Sequence, residues 1–166
     1  MRILGVDPGL ANLGLGAIET AGGEARLLTT ELIRTSSRDD EGARLAQLYQ
    51  AVRDAIERVQ ADALVVEGQF FHRQRDAATK VGQALGVVLL AAHHTSIPVS
   101  RYGPLQVKQA LVGTGRADKA QVAYMVRALL NLGKAPPSHH ESDALARART
   151  HWSAHRVAAR AASQRP

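Results

Sequence analysis

Arg2-Ile3-Leu4-Gly5-Val6-Asp7-Pro8-Gly9 is an apolar run that ends in a single carboxylate and then in Pro-Gly. Such a run reads as a buried strand, and the Pro-Gly pair turns the chain sharply away, so Asp7 is delivered to the edge of a sheet. Gly9 permits backbone shapes that a Cβ forbids, and Asn12-Leu13-Gly14-Leu15-Gly16-Ala17-Ile18 follows as a second strand. Taken alone, Asp-Pro-Gly reads more readily as a turn with a capping aspartate.

Working outward, Ala21-Gly22-Gly23-Glu24 makes a turn and residues 25–35 a third strand, which completes an antiparallel meander. Between residues 41 and 59, Leu45, Leu48, Tyr49, Val52, Ile56 and Val59 recur at steps of three and four, the period of an amphipathic helix lying across the sheet. Ala63-Leu64-Val65-Val66-Glu67 is apolar without alternation, which marks a central strand covered on both faces, and it too ends in a carboxylate. A loop over 68–75 leads to an Ala- and Gly-rich helix over 76–94, a last strand over 97–102, a short helix over 104–112 and a helix over 118–132. Ser138, with Glu141 three residues on, is a capping box that opens a final helix. The order predicts one α/β domain, a mixed five-stranded sheet flanked by helices.

Composition narrows the function classes. Lys plus Arg number 21 against 15 Asp plus Glu, a net charge of +6 that favours a polyanionic partner such as nucleic acid. With no cysteine, disulfides and thiolate metal sites are excluded, and any metal is held by oxygen or imidazole. No charged-then-apolar leader opens the chain, and the apolar run near residues 85–92 is too short to span a bilayer, so the expectation is a soluble cytoplasmic protein without membrane contact. After Asp143 no acidic residue remains, while Arg147, Arg149, Arg156, Arg160 and Arg165 follow as a basic arm, either a solvated helix face or a phosphate contact.

If the first and fourth strands lie side by side, Asp7 and Glu67 end close together. Two carboxylates so placed repel, unless divalent cations neutralise both. On the final helix His140 and Asp143 stand three apart and share a face, and His139, four before Asp143, is the geometric alternative. Asp7, Glu67, Asp143 and one histidine make an oxygen-rich, nitrogen-assisted site suited to two ions of Mg²⁺ or Mn²⁺, one activating water and one stabilising the leaving oxygen in phosphodiester cleavage.

Gly5-Val6-Asp7-Pro8-Gly9, Val66-Glu67 followed by Phe70, Gln106-Val107-Lys108-Gln109, Val112-Gly113-Thr114-Gly115 with Lys119, and Ser142-Asp143-Ala144-Leu145-Ala146 with Thr150-His151 closely resemble the RuvC family of Holliday-junction resolvases. The match runs in order from Met1 to about Trp152, which implies a nuclease domain over 1–152 and a basic C-terminal tail over 153–166. The resemblance implies a ribonuclease H-like fold, a homodimer, and paired metal-dependent nicks across a four-way DNA junction with a thymine-containing preference. It also implies cooperation with a branch-migration complex of a junction-binding protein and a hexameric ATPase motor.

Carried over by position, Asp7, Glu67 and Asp143 are the metal-binding catalytic acids, and His140 stands where many members have aspartate. Neutral imidazole offsets less cation charge than a carboxylate, so Mn²⁺ is expected to be preferred over Mg²⁺. Phe70 and Phe71 match the aromatic beside the catalytic glutamate, suited to stacking on or wedging between bases. Lys108 and Lys119 match lysines placed near DNA phosphates; Arg73, Arg75, Lys80, Arg116 and Arg127 join them on charge alone. The rival readings are a ribonuclease H-like nuclease of ribosomal RNA maturation, a sugar-kinase or actin-like ATPase, and a junction-binding module without catalysis. The Lys108 to Lys119 block, the absence of a second lobe and the intact acids argue against them in turn.

Overall fold

The computed structural model describes residues 1–68 and 75–163. Strands β1 (Arg2–Asp7), β2 (Asn12–Ala21) and β3 (Glu24–Arg34) form the expected meander, and helix α1 (Glu41–Val59) follows. Asp40 caps α1, its side chain accepting from the Ala43 N–H at 3.1 Å. Then come β4 (Ala63–Glu67), α2 (Arg75–His94), β5 (Val99–Tyr102), α3 (Pro104–Val112), α4 (Lys119–Leu129) and α5 (His139–Ser163). The strand order is β3-β2-β1-β4-β5, with β4 parallel to both β1 and β5, so the sheet is mixed. No helix among the described residues is long and apolar enough to cross a membrane.

Alternation along the strands sends side chains to two cores. Leu4, Val6, Leu64 and Val66 pack with Leu48, Val52 and Ile56 of α1 and with Ala84, Val88 and Ala91 of α2. On the other face Ile3, Ile18 and Val65 meet Val122 and Val126 of α4 and Leu145, Ala148 and Trp152 of α5. Each Val, Leu or Ile among them, fully buried, contributes about 1.5–3 kcal/mol. The same parity assigns Gly5 and Asp7 to the α5 face, and α5 lies so close that a Cβ on Gly5 would overlap the carbonyl oxygen of Ala144. The helix can approach only because glycine stands there.

Two boundaries differ from the sequence expectation, each for a local reason. Ser96 takes a left-handed φ of 56°, and the Ile97 N–H returns to the Ala92 carbonyl at 3.1 Å. Ile97 therefore closes α2, and β5 starts at Val99. Likewise Asn131, at φ 49°, lets the Leu132 N–H reach the Arg127 carbonyl at 2.9 Å, ending α4 at Leu129 although the apolar period continues. Helix α5 continues without a break from His139 to Ser163, through the point where the basic tail was expected to begin.

Candidate active site

β1 and β4 are parallel neighbours, with Ile3 beside Ala63 and Gly5 beside Val65. Continuing that register sets Asp7 beside Glu67, and alternation turns both carboxylates toward α5. The Ser138 hydroxyl starts that helix, accepting from the Glu141 N–H at 3.2 Å and donating to Glu141 Oε2 at 2.7 Å. This cap buries Glu141, while His140, Asp143 and Arg147 share the face that meets the strand ends.

His140 Nδ1 lies 2.7 Å from Asp7 Oδ2. An ionised carboxylate only accepts, so Nδ1 carries the hydrogen that points at Asp7, and Nε2 is left for another partner. His139 also lines the cleft, its ring centre 4.1 Å from that of His140, but it is His140 that meets an acid. Lys119 Nζ stands 3.7 Å from Asp143 Oδ2 across the opening.

Arg147 is the residue that the sequence reading put elsewhere. Its side chain is only 8% exposed, and Nη2 lies 3.0 Å from Asp7 Oδ1 and 2.7 Å from Glu67 Oε2. It thus belongs to the acids and not to the basic arm. The signal was in the spacing, since Arg147 is one helical turn beyond Asp143 and must share its face.

These charges set the acids apart. Burial is the largest influence on Asp7 and pushes its pKa up, yet the hydrogen bond from His140 and the guanidinium of Arg147 overcome it and hold the carboxyl below its ordinary value. At Asp143 burial, reinforced by the charge of Asp7, wins over Arg147, Lys119 and His139, and the pKa is raised.

Asp7, Glu67, His140, Asp143 and Arg147 line one cleft of ≈ 420 Å³, together with Lys108, Lys119 and Tyr102. Lys80, on α2, and Arg116, in the loop between α3 and α4, are exposed and do not line it. Phe70, Phe71 and Arg73, and the side chain of Arg75, lie outside the described residues. The donor set is three carboxylates and one imidazole, the chemistry of a hard divalent cation. Among the described residues, no three acids or histidines close round a common point as the side chains lie. The guanidinium of Arg147 spans the gap between Asp7 and Glu67, the place where a cation shared by these two carboxylates would lie.

The geometry has close counterparts. The sequence profile described as Crossover junction endodeoxyribonuclease RuvC matches residues 3–151. The chain is 48% identical over 153 residues to the crossover junction endodeoxyribonuclease RuvC of Moorella thermoacetica, covering 92% of each. The Thermus thermophilus RuvC structure superposes with a TM-score of 0.88 at 45% identity, covering 95% of this chain and 97% of that one. The T. thermophilus RuvC in complex with Holliday junction substrate gives a TM-score of 0.91 at 45% identity, over 95% and 96%.

Proposed function

Since the chain belongs to the RuvC family of crossover junction endodeoxyribonucleases, we propose that it cuts four-way DNA junctions at the cluster of Asp7, Glu67, His140 and Asp143. It is a Holliday junction resolvase, an endonuclease that hydrolyses phosphodiester bonds in recombination and repair and depends on divalent metal. The observation that carries the site assignment is the convergence of three carboxylates and an imidazole, far apart in sequence, in one cleft with Lys108 and Lys119 on its wall.

When bound, divalent cations supply water activation and charge stabilisation at the leaving oxygen. The side chains supply the frame. Asp7, held ionised, is a permanent acceptor, and His140 is oriented by its hydrogen bond to Asp7 so that Nε2 faces away from that oxygen. Lys119, which faces Asp143, and Lys108 give a phosphate diester a positive wall to dock on. The single imidazole among the donors supports a preference for Mn²⁺. Phe70, three residues past Glu67, is the residue for base stacking.

The reading extends to a homodimer, which suits a substrate with two equivalent strands to cut, and to work beside a branch-migration complex. Gly82, Gly86 and Leu90 support the first, because a Cβ on either glycine meets nothing within 4 Å among the described residues and Leu90 is 47% exposed.

A synthetic four-way junction, incubated with Mn²⁺ or Mg²⁺, tests the assignment. Wild type should give symmetric nicks, faster in Mn²⁺, and Asp7→Asn none. Nicking that survives Asp7→Asn would remove the site, and equal rates in the two metals would remove the manganese preference.

A further inference from the structure

Arg147 does something that a surface arginine does not. One nitrogen, Nη2, serves two carboxylates on two different strands, while Nη1 is buried and has no hydrogen-bond partner among the described residues. An arginine used for structure alone presents its fork to a carboxylate and satisfies several N–H groups. Here the fork is not used, and a single charge bridges a pair that would otherwise repel. Its anchor is fixed, because Arg147 rides on the same face of α5 as Asp143 and the helix is held against Gly5.

We propose that Arg147 is a built-in counter-ion that fills the gap between Asp7 and Glu67 in the metal-free protein and yields one of them when a divalent cation enters, so that it sets the concentration at which the site loads. The proposal rests on the metal reading of the site given above. Its physical content is competition: a cation bridging the same oxygens meets a fixed positive charge, in a half-buried setting where charges are weakly screened. The same charge keeps the empty cluster from flying apart. Arg147 is therefore a positioning residue with two opposite effects, holding the metal-free site together and weakening its hold on metal.

The two effects separate in DNA-free protein. Mn²⁺ is titrated into wild type, Arg147→Met and Arg147→Gln, with free Mn²⁺ read by electron paramagnetic resonance and folding checked by circular dichroism. Both neutral variants should load at a midpoint roughly tenfold below wild type, since a nearby unit charge is removed. In EDTA both should melt lower than wild type and gain more Tm on Mn²⁺ addition. Gln keeps a donor without the charge, so agreement between the two variants assigns the effect to charge. An unchanged midpoint in folded variants, or one moved to higher Mn²⁺, overturns the proposal, the latter because it would make Arg147 a support for the metal ligands. Absence in all three proteins of any Mn²⁺ binding that Asp7→Asn removes would instead sink the metal reading itself.

Discussion

Asp7 and Asp143 face the same cleft and are loaded in opposite directions. A carboxyl whose folded pKa is depressed stabilises the fold above its unfolded value and loses that contribution as pH falls through the folded pKa. Asp7, with an ordinary value of 3.8, therefore stabilises at neutral pH and gives this up only in stronger acid. Asp143 is raised from 3.8, so its favourable contribution belongs to low pH and is lost as pH rises through its folded pKa. Two substitutions at the proposed catalytic acids should then move stability in opposite senses at pH near 7 without metal. Asp7→Asn breaks charge-assisted contacts with His140 and Arg147, each worth about 1.5–3 kcal/mol, and should lower Tm by several degrees. Asp143→Asn removes a charge that burial and Asp7 disfavour, and should raise Tm. Thermal unfolding in EDTA decides it, and equal signs would refute the assignment of charges. At this scale the acids and His140 were legible, because each ends an apolar strand or opens a capped helix. Arg147 was not, because a run of arginines was weighed as net charge when only its helical phase against Asp143 distinguished it.

The distance between α5 and the sheet is governed by small residues. Gly14 pairs with Asp7 across β1 and β2, and a Cβ there would overlap the backbone carbonyl of His140. Gly14→Ala should push the first turn of α5, with His140 and Asp143, off the strand ends. Overpacking costs about 1–3 kcal/mol. A misplacement near 1 Å in a catalytic frame costs roughly 100-fold in rate, so nicking should fall far more than junction affinity. Equal losses in the two assays would show damage to the whole fold instead. Element types were readable from period and parity, and the adjacency of β1 and β4, a condition in the sequence reading, is met in the sheet. Helix ends were not, because Leu130 and Leu132 are buried or packed by the connection after α4 and so extend the apolar period past the last helical residue.

For the whole molecule the open question is how one cleft serves a substrate with two cuts. Among the described residues of this 17.8 kDa chain one cleft gathers the acids, and the homodimer proposed above would supply a second one at a fixed spacing for the other cut. On α2, Ala84, Leu85, Val88 and Ala91 are consumed by the chain's own core, whereas Gly82, Gly86 and Leu90 recur at four-residue steps on the outward side. Composition alone shows only that α2 is rich in small residues, on which both the internal core and the proposed partner face would draw. Gly86→Glu adds a charge where a Cβ meets nothing among the described residues, so the fold should tolerate it while a second copy could not pack there. Sedimentation should report a dimer for wild type and a monomer for Gly86→Glu. On a supercoiled plasmid bearing a cruciform, wild type should give linear product from coupled cuts, whereas the variant should accumulate nicked circles, each active site still intact but acting alone. A variant that remains dimeric and still linearises the plasmid would move the two-fold contact off this face of α2.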